Sequence, residues 1–259
     1  MSSHPYVHQY GKKGPAVLFL HSLFFDGTMF EEVAKRLPVR AFCPDFRGMG
    51  KRKNDQGDIS VESHVTDIIR YLCTDLKEPV HLVGSSMGAY VGVRVASRMP
   101  PKMISSVTLL CCTAQAEEEP EKFSRICNQV EKDPVNAAKT VERIMFGESF
   151  LNSMSKSLKS IKWREHFQSL HPRAADVARN VFARSGMETE LKAMPKAPLL
   201  IAGGQDRAKR PEDMHSIAEL IPGSHVVMIE QAGHTPAIET PALLAKHLSR
   251  WFDRASILD

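Results

Sequence analysis

Apolar runs alternate with helical spacings through the first half of the chain. Ala16-Val17-Leu18-Phe19-Leu20 is an unbroken apolar run ending at His21, the pattern of a strand buried on both faces. A helix is predicted from about Gly27 to Leu37, then a strand over Val39 to Cys43 closed by the turn-rich Pro44-Asp45-Phe46-Arg47-Gly48-Met49-Gly50. From Ser60 onward, Val61, Val65, Ile68, Ile69, Leu72 and Leu76 recur at helical spacing and give that segment one apolar face. Val80 to Val83 reads as a strand, Ala89 to Met99 as a helix of small and apolar residues, and Ile104 to Cys111 as a further strand. This β-α-β-α-β order predicts a mostly parallel sheet flanked by helices. It returns near the C-terminus with strands at Pro198 to Ala202 and His225 to Ile229 around a helix starting near Pro211. The final helix has Thr240 as expected N-cap, Pro241 at its first position, and Leu243, Leu244, Leu248, Trp251 and Phe252 on one face. Ahead of Ala16 there is room only for weak edge strands between Tyr6 and Tyr10.

Residues 114–190 break the pattern: they show no convincing strand, and 77 residues are too many for a simple loop. Twelve acidic and 12 basic residues alternate there with Ile144, Met145, Phe146, Phe150, Leu151, Met154, Trp163 and Phe167. A helical subdomain is expected, docked by its apolar face and roofing a pocket. The division is then a core of residues 1–113 and 191–259 with a helical cap, or lid, at 114–190.

Composition narrows the function classes. The chain has 259 residues, 42% hydrophobic and 25% charged, a globular balance that excludes disorder and collagen-like or coiled-coil repeats. No stretch reaches the roughly 20 apolar residues of a membrane helix, and the start lacks the basic head and apolar run of a secretory leader. Five cysteines without metal-like spacing predict neither a disulfide framework nor a zinc site, and a reducing cytoplasm is expected. The net charge of +4 comes from short, scattered basic clusters, so neither nucleic acid nor a membrane is the expected partner. A small molecule is.

Gly84-Ser85-Ser86-Met87-Gly88 lies between the strand ending at Val83 and the helix beginning near Ala89. In a G-x-S-x-G turn the glycines two before and two after the serine let strand and helix approach closely, and that register selects Ser86 over Ser85. A serine hydroxyl needs a base to take its proton. Of 11 histidines, His81 and His225 stand at strand starts and His64 and His247 within helices, positions that suit structural roles. His234 differs, because Ala232-Gly233-His234-Thr235-Pro236 is a turn following a strand, where open α/β sheets keep their sites. Asp206, in Gly203-Gly204-Gln205-Asp206 directly after another strand, supplies an acid to fix the imidazole tautomer and completes the chain order Ser, Asp, His. A Walker loop, H-E-x-x-H and a glycine-rich dinucleotide fingerprint are all missing, so no cofactor and no metal is expected.

These pieces, with His21, Pro44 to Gly50, Glu239 and Pro241, resemble the α/β-hydrolase superfamily along nearly the whole chain. Within it the chain is most similar to capped 3-oxoadipate enol-lactonase-like hydrolases and small carboxylesterases. The resemblance implies an α/β-hydrolase fold, a Ser86-His234-Asp206 triad, and an oxyanion hole from the backbone N–H groups of Met87 and Leu23. One departure bears on Leu23: the family usually has His-Gly ahead of this donor, and here it is His21-Ser22. Phe24, Phe25, Met145 and Trp163 are the candidate pocket walls, suited to an apolar acyl or ring moiety. The expected activity is hydrolysis of a carboxylic ester or lactone through an acyl-enzyme. The alternatives are carbon–carbon bond hydrolysis of a ring-cleavage product, which would want Arg94, Arg164 or Arg184 in the pocket, and a small-molecule receptor with slow turnover.

Overall fold

The computed structural model describes residues 4–153 and 158–258, so Met154 lies outside the described residues. Seven strands among them form one sheet: β1 (Val7–Tyr10), β2 (Ala16–Leu20), β3 (Arg40–Pro44), β4 (Val80–Ser85), β5 (Ile104–Leu110), β6 (Leu199–Gly203) and β7 (His225–Ile229). Their spatial order is β1-β3-β2-β4-β5-β6-β7. Every pairing is parallel except that of β1, which lies antiparallel on β3 as an edge strand. β2, β4 and β6 are buried at every position, which is why their sequences are continuous apolar runs rather than alternating ones.

Helices connect the strands: α1 (Glu31–Ala34), α2 (Val61–Tyr71) and α3 (Met87–Arg98) in the first half, α10 (Pro211–Leu220), α11 (Pro236–Glu239) and α12 (Pro241–Leu258) in the last part. Between β5 and β6 run α4 (Ser124–Lys132), α5 (Pro134–Met145), α6 (Glu148–Ser153), α7 (Leu158–Gln168), α8 (Arg173–Phe182) and α9 (Glu188–Lys192). The helix expected from Gly27 to Leu37 is shorter: Asp26 accepts from the Thr28 N–H at 2.9 Å and caps a 3-10 turn over Gly27–Phe30, leaving one α-helical turn before Pro38. The apolar face from Ser60 to Leu76 also divides. Its α-helical part ends at Tyr71 and a wider π turn over Leu72–Leu76 is closed by Lys77 in the left-handed region, at φ 54°. Thr240 turns its hydroxyl back to the Pro236 carbonyl at 3.2 Å.

His64 of α2 is wholly buried, its ring stacked obliquely on Phe46, and neither ring nitrogen has a hydrogen-bond partner. Burial, with the nearby His21 next in weight, pushes its pKa down to about 3. The unfolded chain takes up this proton below about pH 6.5, the folded chain only near pH 3, so stability falls as pH drops through that window by about 1.4 kcal/mol per unit. His64→Leu is expected to flatten the acid limb of stability against pH while costing little at pH 8. Urea titrations at pH 8, 6, 5 and 4 check this; an acid limb as steep as in wild type would mean that other groups cause it.

Candidate active site

Ser86 sits where β4 becomes α3, and its backbone is in a sparsely populated conformation, φ 51° and ψ −111°. The turn exists because backbone meets backbone on both sides of it. A Cβ at Gly84 would run into the Gly88 carbonyl, and one at Gly88 into the Leu20 carbonyl on the neighbouring strand. The Ser86 N–H donates to the Leu110 carbonyl at 2.8 Å, and the Ser86 carbonyl accepts from Ala89 and Tyr90, starting α3. Ser86 is 7% exposed and lines the cavity described below, whereas the Ser85 hydroxyl is fully buried and Ser85 is not part of that lining.

Asp206 follows β6 and His234 follows β7, adjacent strands whose ends bring the two side chains together. The His234 Nδ1–H donates to Asp206 Oδ2 at 2.8 Å, with both side chains 2% exposed. The other Asp206 oxygen accepts the backbone N–H groups of Ala208 and Lys209 at 2.8 and 2.9 Å, which fixes the carboxylate plane. With Nδ1 as donor, Nε2 is the free basic nitrogen of a neutral ring. Cys111 Sγ lies in the same cluster, within 4.8 Å of both groups. These are donors a soft divalent ion could compete for, although the Asp206 and His234 atoms already bond each other. His8, Asp26 and Asp45 form a second such group outside the cavity.

Glu239 holds the histidine turn. Its carboxylate accepts the N–H groups of Gly233 and Thr235 at 2.9 and 3.0 Å, the Thr235 hydroxyl at 3.0 Å, and the Gly147 N–H at 2.8 Å. Burial raises the Glu239 carboxyl above its ordinary range even against these donors. The Thr235 hydroxyl also reaches the Met145 carbonyl at 3.1 Å. The turn bearing His234 and the chain after α5 are thus tied to one carboxylate. The resemblance marked Glu239 as part of a family pattern; the structure adds that one of its four donors, the Gly147 N–H, comes from 92 residues away in the chain.

The loop after β2 is shaped by His21. Its Nε2 accepts the Phe46 N–H at 3.1 Å, leaving Nδ1–H to donate to the Ser22 carbonyl at 2.9 Å, and burial keeps the ring neutral by lowering its pKa. Leu23 and Phe24 follow, Phe24 in the left-handed region at φ 67°. The Phe24 carbonyl accepts from His166 of α7 at 2.9 Å. Leu23 faces the cavity, and the N–H of Met87, first residue of α3, has no acceptor within its own helix.

Ser86 and His234 open on one cavity of about 220 Å³ that α4, α5 and α8 help to line through Ile126, Ile144, Met145, Val181 and Phe182. Of the four residues expected as pocket walls, Phe24 and Met145 line it. Phe25 and Trp163 instead stack edge to face, ring centres 5.1 Å apart, in an aromatic cluster with Phe146 and Phe167. The three arginines considered for an anionic substrate are not among the residues that line the cavity. Arg94 is buried against the Tyr90, Ser185 and Gly186 carbonyls, and Arg164 pairs with Glu142. Arg184 stacks 3.7 Å over the Tyr90 ring. The cations that do line the cavity, Arg207 and Lys209, stand one and three residues after Asp206, a proximity to the acid that was visible in the sequence. His81 bonds Ser106 at 2.8 Å and stacks on Phe252, a structural role.

Over 255 residues the chain is 24% identical to the monoacylglycerol lipase ABHD6 of Bos taurus, covering 90% of this chain and 74% of that protein. A thermophilic esterase from Thermogutta terrifontis superposes with a TM-score of 0.86 at 26% identity, over 96% of this chain and 93% of the esterase. The enol-lactonase of Burkholderia xenovorans LB400 shares the fold at a TM-score of 0.86 and 20% identity, over 96% of each chain. A model of the alpha/beta hydrolase family matches residues 17–247, from β2 into the first two turns of α12, and the chain belongs to that family.

Proposed function

We propose that this chain is a serine hydrolase of carboxylic esters, lactones included, acting through an acyl-enzyme. The observation that carries the reading is the Asp206–His234 pair at 2.8 Å, its carboxylate pinned by two backbone N–H groups, on the cavity into which the strained Ser86 opens. The names of the relatives, a monoacylglycerol lipase and an esterase among them, support ester chemistry.

In this mechanism His234 Nε2 takes the Ser86 proton as Oγ attacks the carbonyl carbon, and the bond to the leaving alkoxide breaks as His234 returns the proton to it. Asp206 holds the ring in the Nδ1–H tautomer and stabilises the imidazolium formed on the way. The N–H groups of Met87 and Leu23 receive the carbonyl oxygen as it becomes an alkoxide, each worth about 3 kcal/mol by the loss such donors cause when removed. Water activated by His234 then releases the acid and restores Ser86. A lactone's leaving group stays tethered, so the cavity must keep the opened chain during deacylation. Residues 114–190 serve as the cap: α4, α5 and α8 roof the cavity and set substrate choice while the sheet supplies the chemistry. At about 220 Å³ the space is below the roughly 300–1,000 Å³ usual for drug-sized ligands, which favours short acyl groups. Five free cysteines fit a reducing compartment, the cytoplasm in this reading.

Ser86→Ala is expected to keep the fold and lose roughly 10⁶ of turnover, because removing the nucleophile disables the triad as a unit. An alkyl phosphonate should label wild type at one equivalent and the variant not at all; labelling retained in Ser86→Ala and lost in Ser85→Ala would shift the register. Asp206→Asn is expected to leave KM nearly unchanged and lower kcat by up to ~10⁴, since the amide favours the wrong tautomer. Steady-state assays on a short-chain p-nitrophenyl ester test this, and full kcat in the amide variant would take Asp206 out of the mechanism.

A further inference from the structure

Leu23 and Phe24 line the catalytic cavity, whereas Phe25, next in the chain, and His166 of α7 line a separate cleft of about 430 Å³. His166 belongs to the aromatic cluster that the catalytic cavity does not use. Three rings surround its imidazole: Phe25 nearly parallel to it with centres 6.4 Å apart, and Trp163 and Phe167 edge to face at 5.2 and 5.8 Å. Its Nε2 bonds the Phe24 carbonyl at 2.9 Å. A carbonyl only accepts, so Nε2 carries the proton, and it does so in the neutral ring as in the charged one. Nδ1 lies 3.8 Å from Asp26 Oδ2, beyond hydrogen-bond distance. The bond to Phe24 is therefore the polar contact that orients this ring.

Phe24 is the third residue of a four-residue turn closed by the Phe25 N–H, which donates to the Ser22 carbonyl at 3.3 Å. Of the two central residues only Phe24 takes a positive φ, 67°, the arrangement of a type II turn, where glycine is the usual occupant. A phenylalanine keeps that conformation only where its surroundings fix it. Here the fixing runs through successive peptide planes. His166 donates to the Phe24 carbonyl; the N–H of that same peptide group, belonging to Phe25, donates to the Ser22 carbonyl; and the N–H of the Ser22 peptide group is that of Leu23. The His21 Nδ1–H gives the Ser22 carbonyl a second donor at 2.9 Å. Each bond polarises the next, so a proton held at the Phe24 carbonyl both aims and strengthens the N–H at the far end. Among the described residues the Leu23 N–H has no backbone acceptor of its own.

We propose that His166 is a positioning residue for the oxyanion hole: from the segment that roofs the cavity, through the Phe24 and Ser22 carbonyls, it sets the direction and donor strength of the Leu23 N–H. The inference rests on the ester-hydrolase reading and goes beyond it, since a residue of α7 then acts on the chemical step rather than on substrate choice. His166 is not part of the cavity lining, so its effect passes through the loop. The cluster of Phe25, Trp163 and Phe167 gains a role as well, that of keeping the imidazole edge on the carbonyl.

The test uses three variants of the full chain. His166→Phe keeps a ring in the cluster without a donor, His166→Asn carries an amide too short for the Phe24 carbonyl, and His166→Gln places an amide N–H at about the reach of Nε2. On a short-chain p-nitrophenyl ester, the Phe and Asn variants are expected to lose about ten- to hundredfold in kcat with KM within about twofold, and Gln to recover to within about threefold of wild type. A trifluoromethyl ketone probes the hole directly: Ser86 Oγ adds to its carbonyl carbon, the proton passes to His234, and the carbonyl oxygen becomes an alkoxide. Its affinity is expected to fall by the same factor as kcat, while the matching methyl ketone, bound without that charge, keeps its affinity. Both ketones weakening alike, or no recovery with Gln, marks a merely structural His166 and overturns the proposal. Should the Phe variant not fold, Asn against Gln decides by the same measurements, and equal kcat in those two rejects it. Ester turnover and phosphonate labelling of Ser86 in wild type, with the variants equal to it, sink this inference and leave the ester-hydrolase reading standing. A wild type that neither turns over the ester nor takes the label fails that reading, and the inference falls with it.

Discussion

The chain passes from β4 to α3 in a single residue, and everything at the C-terminal edge of the sheet depends on that passage. It requires α3 to begin against the carbonyl of Leu20 on β2 and to cross back over β4, with no side chain between the backbones. Gly84 and Gly88 meet the requirement by having none. The conformation left to Ser86 is one that L-residues rarely occupy, and it persists because the surrounding parallel strands, buried at every position, over-determine it. Strain is thus held by the core and located at a side chain that faces the cavity.

The same edge collects the other polar groups by connectivity rather than by proximity in sequence. In a parallel sheet every strand ends on the same side, so the loops after β2, β4, β6 and β7 converge although they are far apart along the chain. What fixes each loop is a buried polar residue with saturated bonding: His21 for the first, Asp206 for the third, Glu239 for the fourth. Each exchanges water for several backbone N–H or C=O partners, which is how a polar group can be buried at small net cost. Glu239 reaches further, because Gly147, in the connection between α5 and α6, shares the carboxylate with the turn that bears His234.

His64 and Tyr90 stand against this pattern as buried polar atoms without good partners. They differ in surroundings. His64 is packed against Phe46, where an unpaired ring nitrogen affects only stability, and Tyr90 stands in the cavity wall with the Arg184 guanidinium over its ring.

What the sequence determined by itself was local or ordinal. Continuous apolar runs identified the parallel strands, because a strand buried on both faces has no polar side to alternate with. The glycine spacing around Ser86 expressed a steric requirement that acts within five residues, and the placement of Asp206 and His234 just after strands followed from where strand ends must lie. The boundaries of α1 and α2 were set differently by an Asp26 cap and a π turn, side-chain and backbone hydrogen bonds that periodicity does not encode. Which aromatic rings line the cavity was decided only by tertiary structure: Phe24 turns inward through a left-handed backbone while Phe25, one residue on, points into the cluster around Trp163. The meeting of Glu117, Arg184, Lys209 and Tyr90 was likewise invisible, because four segments up to 119 residues apart contribute to it, and their encounter depends on how the helices after β5 pack over the sheet.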